Sequence, residues 1–329
     1  MASSKDGSKS LYVQTPLMRS KKLSDKTGFS IWLKLENLQN SGSFKARGIG
    51  QLCNKAVQNG CTRFISSSGG NAGLAAAFCA QQLGIPITVV VPESTPTLTI
   101  RKLKEEGAVV EVKGQAWDEA NERAKELVAA SKDSCLIHPF DHPDIWEGHA
   151  SLVTEVQQQL QGIKPDLFVL AVGGGGLMNG VLEGLHHIGW EDVPVVAMET
   201  QGAHSFAACV QANAWVELNE ITSIAKTLGA KRVSKRSYEW LSLHPILSHV
   251  VTDKEAVTAS IKFADDHRML VSPACGAALA AVYGAIISDL QKAHKLPMSL
   301  SNVVVVVCGG NEVSLDLIQS WKETYGITA

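Results

Sequence analysis

The sequence has no run of lysine and arginine, and its formal net charge is only −2, so it lacks the electrostatic footprint of a nucleic-acid partner. It has seven cysteines but no CxxC pair. The odd, scattered count argues against a disulfide framework and points to reduced thiols of the cytosol. The opening "MASSKDGSKS" lacks the apolar stretch of a secretory signal, and no apolar run approaches the roughly 20 residues of a membrane span. The expectation is therefore a cytoplasmic protein with neither nucleic acid nor membrane as partner, its first 10 residues mobile. No Gly/Ser linker and no internal repeat interrupts the chain. Three catalytic spellings are also missing: GxSxG, GxGxxG and GK[ST].

What is present is the material of a large core, with 45% hydrophobic and 19% charged residues in a chain of 329. Short β-branched runs alternate with helical stretches. Strands are expected in 63–70, 86–94, 108–114, 166–176, 194–200 and 302–310. Helices are expected over 71–84, 97–107 and 116–131, the last with Ala120, Ala124, Leu127 and Val128 on one face. The unbroken valines of "NVVVVVCGG" fit a parallel strand covered on both faces. Strand followed by helix, repeated, predicts an α/β fold with mostly parallel sheets. The proline-interrupted "HPFDHPDIWEG" (138–148) reads as a connection between two such sets, hence two lobes with a cleft between them.

Four stretches carry chemistry. In "AVGGGGLMNG" (171–180), four glycines follow an apolar strand and precede a helix. Backbone N–H groups can converge there beside the positive end of a helix dipole, which makes an anion cradle suited to phosphate. Met178 and Asn179 stand where a dinucleotide motif needs its third glycine. "SSSGGNAG" (66–73) is a second strand-to-helix turn, with hydroxyls, amides and Asn71 able to hold a carboxylate. In "NSGSFKARG" (40–48), Lys45 sits among small residues, able to reach a ligand from a tight turn, with Phe44 beside it as a platform for a flat ring. A lysine, an aromatic platform and a phosphate cradle together spell pyridoxal phosphate. Cys308 ends the valine strand, where open α/β sheets place ligands. His138, His142 and Asp141 offer a rival metal reading. Pro139 and Pro143 keep one regular helix from presenting both rings, and zinc needs three or four convergent ligands.

In order, "SGSFKARG", "SSGGNAGLAAAFCAQQLGIP", "VVPESTPTLTIRKLKEEGA", "VLAVGGGGLMNGV", "AMETQGAHSF", "SPACGAALAAVYG" and "VVVVVCGGN" resemble the pyridoxal-phosphate enzymes of the tryptophan-synthase-β-like fold (fold type II). Within them the match is to the serine and threonine dehydratases, from about Thr15 onward. The resemblance implies two open, twisted, mostly parallel α/β lobes with the cofactor in the cleft: a large cofactor domain from 1–46 and 145–329, and a small mobile domain from 47–144. It implies that Lys45 forms a Schiff base with the cofactor, that Phe44 packs on the ring, and that Asn71 bonds the ring 3′-oxygen. Backbone N–H groups of Gly173, Gly174, Gly175, Gly176 and Leu177 would hold the phosphate, and Cys308 would face the pyridine nitrogen. Ser68, Gly69, Gly70, Asn71 and Ala72 would surround the substrate carboxylate. A monovalent cation, typically potassium, would sit at Gly173, Glu199, Ala203, Ser205, Leu228 and Ala230.

The implied reaction is β-elimination. The Lys45 amine removes the Cα proton, hydroxide leaves with a proton from the cofactor phosphate, and L-serine becomes pyruvate and ammonia. L-Threonine becomes 2-oxobutyrate and ammonia. A homodimer acting in amino-acid catabolism and gluconeogenesis is implied as well. The sequence departs from the pattern at four positions. Gly69 stands where racemases of this fold carry serine and serine dehydratase carries alanine, so no hydroxyl attends the opposite face. Ser272 replaces an expected glutamate, Thr227 a smaller residue on the ring's other face, and Glu312 follows "CGGN". Three alternatives stand beside the dehydratase: racemisation, against which Gly69 argues, β-replacement by a thiol, and an inactive cofactor-binding homologue, which Ser272 and Glu312 keep open.

Overall fold

The computed structural model describes residues 10–328; most of the N-terminal stretch expected to be mobile lies outside the described residues. Among the described residues the strands are β1 (Leu17–Arg19), β2 (Ser30–Leu35), β3 (Arg63–Ser66), β4 (Ile87–Val91), β5 (Val109–Val112), β6 (Ser134–Leu136), β7 (Leu167–Ala171), β8 (Val195–Thr200), β9 (Ile246–Val251) and β10 (Asn302–Val307). The chain forms two compact units. The first takes the described residues up to Val13 and Gln39–His149; the second takes Gln14–Leu38 and everything from Ala150 onward. Lys45 therefore lies in the first unit and the tetraglycine stretch in the second.

The first unit holds a four-stranded sheet in the order β5-β4-β3-β6, every pair parallel. Val89, Val90 and Val91 of β4 are fully buried, as expected of a strand covered on both faces. The helix Asn71–Leu83 packs its alanines and Cys79 into the core. It stops at Gly84, whose φ of +68° lets its N–H reach back to the Ala80 and Gln81 carbonyls. The helix Trp117–Ala129 buries Ala120 and Ala124 completely and lays Leu127 and Val128 on Ile65 and Val90, the face its spacing predicts.

The second unit holds a six-stranded sheet in the order β1-β2-β10-β7-β8-β9. β1 runs antiparallel at the edge and the rest are parallel. β10 lies between β2 and β7, and Val303 to Val307 are all 0% exposed. Each such valine contributes roughly 1.5–3 kcal/mol relative to exposure. The parallel strands end on one side of the sheet, which is where β7 delivers the four glycines and β10 delivers Cys308.

One expectation is corrected. Only 138–142 of the segment 138–148 is irregular; Pro143 opens a helix, Pro143–Gln159. Proline at the first helical position loses nothing, because that N–H has no intrahelical partner. Among the described residues no single helix is long and apolar enough to cross a membrane.

Candidate functional site

Lys45 is not in a tight turn. It is the first residue of the helix Lys45–Gln58. Phe44 occupies the N-cap position with helical φ and ψ of −51° and −21° and has no side-chain cap to offer. The first-turn amides find other acceptors. Ala46 N–H donates to the Ser43 carbonyl (3.3 Å), Arg47 N–H to the Phe44 carbonyl (3.0 Å), and Gly48 N–H to Nδ1 of His149 (3.2 Å). The half-buried Lys45 amine donates to the Pro139 carbonyl at 2.5 Å and lies 5.1 Å from the Phe44 ring centroid. Pro139 follows β6, so the amine sits at the C-terminal end of the parallel sheet. Burial and the Lys45 charge push His138 down to about 4. His138 and His142 use Nδ1 to accept backbone amides, from Asp141 (2.8 Å) and from Asp144 (3.2 Å). Among the described residues no group of three or more His, Cys, Asp or Glu is placed to hold a metal ion.

The Ser66–Asn71 stretch of the same unit leaves β3 and enters the helix Asn71–Leu83. Gly73 is required there, since a Cβ would stand 1.7 Å from the Ser68 carbonyl oxygen. Ser67 Oγ donates to Oδ1 of Asn121 at 2.8 Å, and Ser68 Oγ accepts from Gly70 N–H at 3.3 Å. Ser68, Gly69, Gly70 and Asn71 are half-buried and Ala72 is buried. The first-turn amides, which a helix leaves without intrahelical acceptors, and the Asn71 side chain make this a helix N-terminus suited to an anion.

In the second unit the tetraglycine stretch joins β7 to the helix Gly176–His187. Gly175 has φ of +88°, and a Cβ there would lie 1.9 Å from Ser237 Oγ. A Cβ on Gly173 would lie 2.9 Å from Leu228 Cα. The turn therefore exists because it has no side chains, and that bareness is what lets backbone amides approach a ligand. Sequence reading missed what fastens it. Asn179 Nδ2 donates to Ser234 Oγ (2.9 Å), Ser237 Oγ donates to Asn179 Oδ1 (2.7 Å), the two serine hydroxyls are 2.8 Å apart, and Ser234 N–H donates to the Gly174 carbonyl (3.1 Å). Asn179, noticed only as the residue that spoils a dinucleotide motif, is the centre of this buried triangle. Its serine partners lie 55 and 58 residues further on, beyond any local signal.

Val172 N–H donates to the Met198 carbonyl (2.8 Å), continuing the register of Ala171 with Met198, so the glycines leave β7 alongside the last residues of β8, Glu199 and Thr200. The fully buried Glu199 carboxylate accepts from Phe206 N–H (2.9 Å) and Ala207 N–H (2.7 Å), but burial still pushes it up to about 8. Ala203 N–H bonds the Thr200 carbonyl, Ala230 N–H bonds the Leu228 carbonyl, and the buried Ser205 hydroxyl lacks a hydrogen-bond partner among the described residues. Cys308 is 7% exposed. The neighbouring Cys275 thiol, unnoticed in the sequence, and burial hold the Cys308 thiol well above its ordinary range, so it is neutral. Ser272 caps the helix Pro273–Tyr283 by accepting from Cys275 N–H (3.4 Å), and Thr227 is exposed.

The family model described as "Pyridoxal-phosphate dependent enzyme" matches residues 9–309. A serine dehydratase-like protein of Mus musculus is 51% identical, over 97% of each chain. An L-serine dehydratase/L-threonine deaminase of Homo sapiens is also 51% identical, over 97% of each chain. The crystal structure of a fungal L-serine ammonia-lyase from Rhizomucor miehei is similar with a TM-score of 0.90 and 38% identity, over 96% of this chain and all of that one.

Proposed function

The chain belongs to the pyridoxal-phosphate dependent enzyme family, and from that premise we propose that it is an L-serine and L-threonine ammonia-lyase, releasing pyruvate or 2-oxobutyrate with ammonia. The observation that carries the reading is the Lys45 amine, held by a backbone carbonyl on the first turn of a helix at the C-terminal end of a parallel sheet. The residues fit the cofactor. A side-chain-free turn offers amides to a phosphate, and a thiol kept neutral by Cys275 and burial suits an unprotonated ring nitrogen.

When bound, pyridoxal phosphate supplies an aldehyde that captures amines and a ring that accepts an electron pair from Cα. The remaining roles belong to the chain. Lys45 Nζ would hold the aldehyde and move the proton at the substrate Cα. Phe44 would cover the flat ring. N–H groups of Gly173 to Leu177 would hold the phosphate, and Asn71 would bond the ring oxygen. Ser68, Gly69, Gly70, Asn71 and Ala72 hold the substrate carboxylate. Gly69 brings no hydroxyl to the opposite face, which disfavours racemisation. Burial raises Glu199 and leaves the Ser205 hydroxyl without a partner among the described residues; a potassium ion held with Gly173, Ala203, Leu228 and Ala230 would offset the first and satisfy the second.

We extend the proposal to a cytoplasmic homodimer acting in amino-acid catabolism toward gluconeogenesis, checked by gel filtration and cell fractionation. The catalytic test is incubation with L-serine, L-threonine and D-serine, followed by 2-oxoacid and chirality measurements. L-Serine and L-threonine should yield 2-oxoacid, and Lys45→Ala should lose both turnover and the borohydride-fixed cofactor on that residue. Racemised serine without 2-oxoacid, or a cofactor still covalently fixed in Lys45→Ala, would overturn the proposal.

A further inference from the structure

The helix that carries Lys45 has an unusual start. Its N-cap position, where serine, threonine or aspartate would accept a first-turn amide, is held by Phe44. An aromatic platform and a capping oxygen cannot come from one side chain. The missing acceptor arrives from another helix. Gly48 of Lys45–Gln58 and Gly148 of Pro143–Gln159 bring the two backbones into contact: a Cβ on Gly148 would lie 2.5 Å from the Arg47 carbonyl oxygen and 2.8 Å from Gly48 Cα. A Cβ on Gly48 would lie 2.6 Å from the His149 ring and 2.6 Å from the Ile145 carbonyl oxygen. That crossing seats the imidazole of His149, fully buried, between the first turn and Phe44. Nδ1 accepts from Gly48 N–H at 3.2 Å, and the ring packs on the Phe44 ring with centroids 4.9 Å apart at 54°. Nε2, buried, has no hydrogen-bond partner among the described residues.

We propose that His149 is a positioning residue for the lysine half of the site: it caps the helix of Lys45 from a neighbouring helix and fixes the ring of Phe44, so that amine and platform are held before any ligand arrives. This rests on the functional reading of Lys45 given above. Only the neutral ring can do it, because Nδ1 must accept from Gly48 N–H. Burial, with the charges of Lys45 and Arg47, holds His149 well below its ordinary range and so keeps it neutral.

The test separates the two contacts. His149→Phe keeps a ring against Phe44 and removes the acceptor; His149→Gln keeps an acceptor and removes the ring. In His149→Phe the Gly48 amide should exchange with solvent about tenfold faster, the size of a lost cap. The holoenzyme should also lose cofactor on dialysis about tenfold faster, with kcat falling and KM for L-serine nearly unchanged. His149→Gln, the variant better able to fold, should restore the Gly48 protection while leaving cofactor retention between the two. Unchanged Gly48 exchange in both variants, or wild-type cofactor retention in both, would overturn the proposal. A wild-type protein whose borohydride-fixed cofactor maps to a residue other than Lys45 would instead overturn the functional reading, and the exchange result would still stand or fall on its own.

Discussion

The two compact units contribute to the proposed chemistry in opposite ways. In the first, the work is done by side chains: the Lys45 amine on the Pro139 carbonyl, the Phe44 ring, the His149 imidazole, the Asn71 amide. In the second, the proposed phosphate site is backbone, at a turn where Gly173 and Gly175 have no room for a Cβ, with side chains such as Cys308 and Glu199 around it. The aldehyde of such a cofactor needs a directed amine, whereas a phosphate needs several N–H groups at one point, which bare backbone supplies. It follows that the side chains proposed to hold the cofactor in the first unit should be sensitive to atoms removed, and the proposed phosphate turn of the second to atoms added.

The sharpest way to break this comparison is to add one methyl group to the second unit. In Gly175→Ala the new Cβ would fall 1.9 Å from Ser237 Oγ on a backbone with φ of +88°. Left-handed strain and overpacking together should cost about 2–5 kcal/mol. Displacing Ser237 also breaks its bond to Asn179, so the turn should lose its shape and the protein its cofactor. Urea denaturation and cofactor content of the purified variant measure both. A variant with wild-type stability and a full complement of cofactor would remove the basis for calling this turn sterically defined.

A smaller effect should appear with pH. His138 in the first unit and His244 in the second are each pushed down to about 4, chiefly by burial. Above about pH 6.5, the ordinary histidine value, both folded and unfolded chains hold these rings neutral. Below it the unfolded chain takes up protons that the folded chain refuses until about pH 4, so stability falls as pH falls through that window. Each ring contributes a slope on the order of 1 kcal/mol per pH unit. Denaturant midpoints between pH 7.5 and 4.5, on the order of one unit apart, read the slope directly. His138→Asn should flatten it by about one proton, and so should His244→Asn in the other unit. A slope unchanged by both substitutions would show that these rings titrate normally.

How far the sequence reached differs between the units in the same way. Runs of valine, glycine stops and helix spacing located β3, β4, β5, β7, β8 and β10, because each signal is local. The tetraglycine turn was legible because absence of side chains is written in the sequence. The start of the Lys45 helix was not. Its cap is His149, 101 residues from Gly48, and Phe44 at the N-cap conceals the helix from any rule about capping residues. The proline at 143 looked like an interruption, although at the first position of Pro143–Gln159 it starts a helix. Cys275 beside Cys308, and the serines that fasten Asn179, are likewise products of tertiary packing.

The smallest expected effect is the most discriminating, because it applies the same substitution to a glycine of the first unit. Gly69 lies in the Ser66–Asn71 stretch, and a Cβ there would meet Thr95 Cγ2 at 3.0 Å, Thr95 Oγ1 at 3.1 Å and Val91 Cγ1 at 3.3 Å. These are tight contacts with side-chain atoms rather than with backbone, and Gly69 does not have the left-handed φ that strains other residues. Thr95 is half-buried in the loop after β4 and can yield by a few tenths of an ångström. Gly69→Ala should therefore cost less than about 1 kcal/mol. Adding Thr95→Ser, which removes the Cγ2 methyl, should recover most of that loss in the same urea titration. The unfolded chain also loses freedom on gaining alanine, which offsets the cost by about 0.4–1 kcal/mol. If Gly69→Ala instead unfolded the protein as readily as Gly175→Ala, Gly69 would join Gly48, Gly73 and Gly148 as a position where the first unit needs a missing side chain, and the contrast drawn between the Gly69 and Gly175 turns would fail.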